Sequence, residues 1–404
     1  MPSTTRRTLL VAGAGTAITA GSYGAYHLHR GATDATFDPW DPAPGTWPLP
    51  RYDHANTAHN SHASPPRETP TVRRVASVTT TARRPRFVPL VGTDHLVVYG
   101  SGLGVYPREG GDPIRERDAP TPLAGFGPDG RLLTVERAAT DAPASLVAYA
   151  ADSGETARVG LDADHPQGLV VGSREVYVGG QDGTLRAIDP GSGRRWRVDG
   201  AMPALGDGRL YAADAPLDGI VAYGERTGLD RRLQVGPKRV WSAGPTDGFP
   251  GRPAVADGRV VLGTVAEGGG VLAAVDADTG ERLWEPRALG RSVSTPAVVG
   301  DRGYVAVGRD EAGLVTAVDC STGEIRWRDD VDWRASTPVV GSETLVVAGA
   351  VREGGAPAGG VVRAYDAASG EALWTHGFDT DPNGLALVDD RVFVTVGADL
   401  YALR

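Results

Sequence analysis

The apolar positions of this chain fall in short runs that Gly, Asp and Pro interrupt every few residues. In "TPAVVGDRGYVAVG" (295–308), two β-branched runs flank a Gly-Asp turn, which is typical of a β-hairpin. Seven other segments repeat this pattern: 87–100, 122–136, 168–180, 202–214, 252–265, 336–349 and 383–397. The pattern therefore predicts eight hairpins of two strands, A and B, in an all-β chain.

A second, more regular hairpin follows each of the first seven. Its best copies are "AVDADTGERLW" (274–284), "AVDCSTGEIRW" (317–327) and "AYDAASGEALW" (364–374). The Asp can accept backbone amide hydrogen bonds and start a turn, and the Gly supplies the left-handed conformation that ends it. The residues of this structural repeat are Asp276, Gly280, Trp284, Asp319, Gly323, Trp327, Asp366, Gly370, Trp374 and, in a looser copy, Trp196.

Other loose copies complete the series of C–D hairpins, at 104–118, 146–160, 185–198 and 220–235. The closing glycines of the seven turns are 35 to 52 residues apart, a period that radial or solenoidal repeats show. We expect each Trp to lie on an outermost strand and to pack between neighbouring repeats, as a structural anchor rather than a ligand site.

The two ends of the repeated region indicate how it closes. The eighth repeat has a C strand, "DLYALR" (399–404), but the sequence ends before a D strand, whereas "TVRRVASV" (71–78) has the pattern of one. The sequence therefore predicts an eight-bladed β-propeller of four-stranded antiparallel blades over 71–404, with the ring closed by an N-terminal strand.

The N-terminal 70 residues lack this pattern. Residues 1–30 contain Arg6 and Arg7 before a weakly apolar run, residues 9–26, which is typical of a twin-arginine signal or a membrane anchor. This predicts export to the outer side of the cytoplasmic membrane or beyond, with residues 9–26 as a membrane tether if they are not removed. The proline-rich residues 31–70 are expected to form a linker or a wrapping arm.

Composition narrows the possible partners. The formal net charge is −9 and Lys238 is the only lysine, so nucleic acid is not an expected partner. Cys320 is the only cysteine, which excludes a disulfide within the chain. We expect a monomeric propeller stabilised by packing.

The repeat Ala-x-Asp-x-x-Thr/Ser-Gly-Glu-x-x-Trp resembles that of pyrroloquinoline-quinone (PQQ)-type propellers. The resemblance covers about 71–404, and "TWPLPRYDHANTAHNS" (46–61) resembles a segment that often precedes the first blade of such proteins. The family includes quinoprotein alcohol dehydrogenases and the non-catalytic outer-membrane-assembly propeller BamB. The matched residues build turns and docking contacts, so they are specific for fold and not for activity.

For catalytic members, the resemblance implies a quinone at the propeller axis, a calcium ion held by carboxylates and amides, and often a disulfide of adjacent cysteines. A single cysteine excludes that disulfide, and we find no carboxylate-rich insertion in the sequence. His54, His59 and His62 lie in a segment without a helical or hairpin frame and are interpreted as solvated polar residues. We therefore expect no catalytic residue, no metal site and no cofactor, with PQQ and calcium only under the dehydrogenase alternative.

Connection lengths point to a binding face. The A–B and C–D turns are short, whereas the longer insertions fall on B–C and D–A connections, which emerge on one face of the disc. Segments 236–251 and 328–336 offer the aromatic and charged residues that interfaces favour, namely Lys238, Arg239, Trp241, Asp247, Phe249 and Trp333. The leading hypothesis is an exported, non-catalytic propeller that binds protein partners at the cell surface. The alternatives are a PQQ-dependent alcohol or sugar dehydrogenase and a ligand- or polysaccharide-binding sensor.

Overall fold

A computed structural model describes residue 37 and residues 39–137, 143–150, 154–163, 165–193, 195–214, 219–226, 236–243 and 249–404. Every regular element in these ranges is a β-strand, and the strands form six four-stranded sheets and one eight-stranded sheet. None of the described segments is a helix of the length and apolarity needed to cross a membrane. The predicted signal lies outside the described residues.

Each blade has four antiparallel strands, and the first four blades follow one another along the chain. Blade 1 contains β2 (Phe87–Val91), β3 (His95–Gly100), β4 (Leu103–Pro107) and β5 (Arg115–Arg117). Blade 2 contains β6 (Leu123–Phe126), β7 (Leu132–Arg137), β8 (Ala144–Tyr149) and β9 (Glu155–Gly160). Blade 3 contains β10 (Pro166–Val171), β11 (Val176–Gly180), β12 (Thr184–Ile188) and β13 (Arg195–Asp199). Blade 4 contains β14 (Ala201–Gly206), β15 (Arg209–Asp214), β16 (Gly219–Gly224) and β17 (Lys238–Ala243).

Blades 5 and 6 share the eight-stranded sheet, because β21 also pairs with β23. Blade 5 contains β18 (Phe249–Pro250), β19 (Ala254–Ala256), the long β20 (Arg259–Asp276) that spans strands B and C, and β21 (Arg287–Val293). Blade 6 contains β22 (Ala297–Val299), β23 (Arg302–Gly308), β24 (Gly313–Asp319) and β25 (Ile325–Val331). Blade 7 contains β26 (Arg334–Val340), β27 (Thr344–Glu353), β28 (Ala356–Asp366) and β29 (Ala372–Phe378).

Blade 8 joins the two ends of the repeated region. It contains β30 (Pro382–Val388), β31 (Arg391–Val396), β32 (Asp399–Leu403) and, as its outermost strand, β1 (Val72–Ser77). Val72 pairs with Leu403, and the Thr71 and Arg404 amides each donate to the other residue's carbonyl at 2.7 and 3.0 Å. The predicted all-β propeller and its closing strand are confirmed.

Burial follows the distance of a strand from the axis. Inner strands such as β3 and β24 are buried along almost their whole length, whereas the outermost β25 alternates between exposed and half-buried positions. Inner strands have neighbouring blades on both sides, so they need β-branched and small apolar residues at nearly every position. An outermost strand has one face in water and keeps the alternating pattern.

The C–D turns have the predicted geometry. Asp276 Oδ1 accepts from the Asp278 and Thr279 amides at 3.0 and 2.8 Å, and the turn ends at Gly280 with φ +74°. The repeated Trp residues then dock on the next blade. The Trp327 ring lies against Gly370, and its Nε1 donates to the Ala367 carbonyl at 3.1 Å.

Candidate functional site

The propeller has two different faces. The A–B and C–D turns lie on one, here called the turn face. The B–C and D–A connections lie on the other, here called the loop face. Ligand access to these two faces differs, because the segment before β1 packs against only one of them.

Residues 40–64, here called the arm, run across the turn face close to the axis. The arm is hydrogen-bonded to all eight blades, each time near the turn-face end of the innermost strand. The blade residues in these bonds are Val91, Phe126, Val171, Leu205, Val255, Val298, Val340 and Leu387. Trp47, Leu49 and Ala58 are fully buried. Residues 40–64 therefore form part of the packed structure.

Two polar side chains of the arm join neighbouring blades. Arg51 donates to the carbonyls of Pro338, Pro296 and Thr295, at 3.1, 2.6 and 3.1 Å. Burial lowers the pKa of Arg51 to about 9, so the guanidinium is still charged at neutral pH. Its donors thus hold blades 6 and 7 together.

Asn56 has the same role between blades 4 and 5. Its Nδ2 donates to the Pro203 and Pro253 carbonyls at 2.9 and 3.0 Å. The residue has a left-handed backbone (φ +58°), as do Tyr52 and Ala58. Such conformations are costly for residues with a Cβ and persist where the surrounding structure imposes them. The arm is therefore shaped by its contacts with the blades.

The histidines of the arm are more buried than predicted. His54 and His59 are half-buried, and burial is the main cause that lowers the pKa of each below its usual value. Only His62 is exposed. In the part of the chain that the structure describes, no three His, Cys, Asp or Glu side chains lie close enough to hold a metal ion. The expectation that the chain binds neither calcium nor PQQ stays a prediction.

The loop face carries a pocket of about 390 Å³, here called the arginine pocket. It lies where blades 7, 8 and 1 meet. Four connections contribute: the link from β1 to β2, the B–C hairpin of blade 7, the link from β29 to β30 and the B–C turn of blade 8. The lining residues are Arg83, Arg84, Pro85, Arg86, Arg352, Pro357, Gly359, Asp379, Thr380, Asp381, Asn383 and Gly397.

The four arginines of this pocket differ in their pairing. Arg352 Nη2 contacts Asp381 Oδ2 at 2.7 Å, and both side chains are largely buried. Arg83, Arg84 and Arg86 are exposed, and their guanidinium groups form no hydrogen bond or ion pair with any described residue. The pocket thus has one neutralised pair, three cationic groups without an ion pair and one further carboxylate, that of the exposed Asp379.

The binding residues predicted from sequence do not converge on one site. The prediction that 236–251 forms a loop is wrong for 238–243. These residues are β17, the outermost strand of blade 4, in which Arg239 pairs with Tyr223 of β16. The Arg239 side chain contacts Asp199 at 3.1 Å, and Lys238 is exposed.

Trp241 occupies the repeat position of blade 4. Its ring lies against Gly280 and its Nε1 donates to the Ala277 carbonyl at 3.1 Å, contacts equivalent to those that Trp327 makes two interfaces further on. Trp333 is 2% exposed, with its ring against Gly349. The Trp333 ring is therefore buried, whereas the half-buried Trp241 ring packs between two blades.

The last two predicted residues are described less fully. Asp247 lies outside the described residues. The backbone of Phe249 belongs to β18 and pairs with Val265. Whether any of the six residues contacts a partner stays a prediction.

The arginine pocket was not identified from the sequence. A signal for it exists, since "RRPR" (83–86) is a run of like charges in a connection between two predicted strands. The other residues of the pocket begin at Arg352, 266 positions after Arg86, and only the ring closure brings the two parts close.

Comparisons with known proteins agree with the fold. Residues 227–356 match the family model described as outer membrane protein assembly factor BamB. Sequence comparison with curated proteins gives no match.

Three similar solved structures are all propeller-like at low identity. BamB from Moraxella catarrhalis is 19% identical with a TM-score of 0.59, covering 82% of this chain and 97% of its own. Quinohemoprotein alcohol dehydrogenase from Comamonas testosteroni is 13% identical with a TM-score of 0.57, covering 89% and 80%. The computationally designed Ika8 protein is 14% identical with a TM-score of 0.64, covering 82% and 99%. At these identities the likeness shows the fold alone. Together with the observed blades, it shows that this chain is a β-propeller, of which residues 227–356 are similar to the BamB family model.

Proposed function

We propose that this chain is an exported, non-catalytic propeller that binds a protein partner at the cell surface through its loop face. The observation that carries the proposal is the arginine pocket. Three exposed arginines line it, and their guanidinium groups form no ion pair with any described residue, in a chain whose net charge is −9. Clustered like charges repel each other in the free protein, and an acidic partner would relieve this repulsion.

The arm supports the choice of face. It occupies the region around the axis on the turn face and is hydrogen-bonded to every blade there. A partner on that face would meet a surface that the chain already covers. The arginine pocket is built mainly from connections of the loop face, and connections are the usual sites of binding residues on a rigid scaffold.

Phe37 and Trp40, among the first described residues, bear on how the molecule is oriented. Phe37 packs with Tyr177, and Trp40 Nε1 donates to the Val171 carbonyl at 2.8 Å, both at the turn-face side of blade 3. If residues 9–26 remain in a membrane, the ten residues 27–36 span at most about 35 Å. The turn face would then lie towards the membrane, and the loop face would point away from it.

The family match is compatible with this function. The matched model describes an assembly factor, and the alternative of a quinoprotein dehydrogenase rests on likeness of fold. A direct test of that alternative is to add PQQ, calcium and a dye acceptor to the purified protein. Saturable reduction of the dye by an alcohol or sugar would favour the enzyme.

Site-specific photocrosslinking in the native host tests the proposed function. A photoreactive residue replaces Arg84 on the loop face or, as a control, Asp278, an exposed residue on the turn face. We expect one discrete protein adduct from position 84 and none from position 278. The absence of an adduct at 84, or the same adducts from both positions, would contradict the proposal.

A further inference from the structure

The arginine pocket has a defined charge and a limited volume. Its lining contains four arginines and two aspartates, so its formal charge is +2. The volume of about 390 Å³ is room for roughly a dozen water molecules. A pocket of this size takes one or two short side chains or one small ligand, and not a folded domain.

The geometry of the cationic groups suits carboxylates. Arg83 and Arg84 are adjacent, and Pro85, whose ring fixes its own φ, separates them from Arg86. A guanidinium presents two parallel N–H donors, which match the two oxygens of a carboxylate. Arg352 is held by Asp381, so the three free groups are the ones open to a ligand.

The second wall offers an acceptor. Asp381 Oδ2 is paired with Arg352, but Asp381 Oδ1 is buried and has no hydrogen-bond partner among the described residues. A buried carboxylate oxygen without a donor is unfavourable. A ligand that combines carboxylates with an N–H donor would satisfy both walls of the pocket.

The lining favours a polypeptide over a sugar. Small-molecule pockets are lined mainly by apolar and aromatic side chains with few polar groups. This pocket has no aromatic residue in its lining and has arginine as its most frequent one. Arginine is enriched at protein–protein interfaces, and an acidic peptide carries both carboxylates and backbone N–H groups.

We propose that the arginine pocket binds an acidic segment of a polypeptide, with at least two Asp or Glu side chains on Arg83, Arg84 and Arg86. This inference rests on the proposed function, since it names the chemistry by which the loop face recognises a partner protein. The formal charge of the pocket, +2, is the reason for expecting at least two carboxylates. Affinity is expected to fall as salt is raised, because the arginines are exposed and their attraction is screened.

Fluorescence anisotropy with the full chain tests the inference. The probe is a labelled peptide of alternating Glu and Gly, and the matched control peptide has Gln in place of Glu. We expect saturable binding of the acidic peptide and none of the Gln peptide. In the R83Q/R84Q/R86Q variant, the Kd should rise at least tenfold.

A second variant controls for the loss of three charges. R73Q/R282Q/R287Q removes three exposed arginines that do not line the pocket, and it should bind like the unmodified chain. Equal loss of binding in both variants would overturn the proposal, as would no binding to the unmodified chain. An oligogalacturonate that competes at lower concentration than the peptide would assign the pocket to an acidic sugar and would also overturn it.

The two proposals can fail separately. A crosslinked partner at position 84, together with unchanged crosslinking in the R83Q/R86Q background, would retain the binding face and reject the role of the pocket. Peptide binding without a cellular crosslink would retain the chemistry of the pocket and reject the proposed function.

Discussion

The indole Nε1 of Trp374 donates to the carbonyl oxygen of Pro66 at 2.7 Å. This contact crosses from blade 7 to the segment between the arm and β1. In three other interfaces, the equivalent Trp donates to a carbonyl of the next blade. The acceptor is the residue that directly follows the Asp of the C–D turn. These pairs are Trp241 with Ala277, Trp284 with Cys320 and Trp327 with Ala367, at 2.9 to 3.1 Å.

Blade 8 has no C–D turn, because its outermost strand is β1. Pro66 therefore provides the acceptor that such a turn would have provided. Arg67 strengthens the same junction, since its Nη2 contacts Asp366 Oδ2 at 2.7 Å. The ring is therefore closed twice, once by β1 and once by the contact of Pro66 with Trp374.

Trp327→Ala should destabilise the propeller. The ring is stacked on Tyr365 with centroids 5.9 Å apart and lies against Gly370, so its removal leaves a cavity between two blades. The expected loss is about 3–5 kcal/mol, measured by chemical denaturation. Trp327→Phe keeps most of the ring and loses only the bond to Ala367, so it should lose less. An unchanged midpoint for Trp327→Ala would refute the anchoring role.

Gly370→Ala and Gly193→Ala form a matched pair. Both glycines end C–D turns with positive φ (+78° and +67°). A Cβ at Gly370 would lie 2.4 Å from Trp327 Cδ2, whereas at Gly193 it meets no atom within 4 Å. Gly193→Ala should cost about 1–2 kcal/mol through the backbone alone. Gly370→Ala should cost about 1–3 kcal/mol more because the indole must move. Equal losses in thermal or chemical unfolding would show that the indole does not dock there.

Arg51→Met should weaken the junction of blades 6 and 7. The buried guanidinium donates to three carbonyls, and a thioether leaves all three without a donor. We expect a loss of about 3–5 kcal/mol, as for breaking a buried charged network. Arg73→Met, on the exposed side of β1, is the control and should be near neutral. Similar melting temperatures for both variants would place Arg51 outside the stabilising contacts.

Stability should depend on pH through Glu175. Burial raises the pKa of Glu175 to about 7, against the opposing effect of hydrogen bonds from Trp196 and Tyr177. The folded state then binds a proton that the unfolded state has released above about pH 4.5. The stabilisation from this proton is complete below pH 4.5 and is lost as the pH rises through 7. The melting temperature of Glu175→Gln minus that of the unmodified chain should therefore be higher at pH 8 than at pH 5. A constant difference in melting temperature between pH 5 and 8 would contradict the raised pKa.

The sequence predicted the ring because its signals are local and repeated. Asp276, Gly280 and Trp284 lie within nine residues, and their spacing recurs. Trp241 lies 13 residues after Gly228 instead of four, because a long C–D connection precedes β17, so the local repeat pattern does not identify it. Trp196, Trp241 and Trp284 are 45 and 43 residues apart, and this regular spacing does place Trp241 at the repeat position.

The arm and the arginine pocket depend on distant contacts, so local patterns could not define them. Tyr52, Asn56 and Ala58 have left-handed backbones that are set by the blades. The sequence of the arm therefore shows no periodic pattern of apolar residues. Arg83 and Arg352 are far apart in the sequence and meet only because blade 8 contains both ends of the repeated region.

The most direct test of the arm's place in the structure is hydrogen exchange of the full chain, measured by mass spectrometry. The amides of Trp47, Ala58 and Asn60 are hydrogen-bonded, and Asn60 pairs with Val340 of β26. If the arm is an integral part of the propeller, peptides covering 46–63 should exchange as slowly as those of β26 and β30. Complete exchange of 46–63 within seconds, while the blade strands stay protected, would show that the arm does not hold the blades and that the turn face is open.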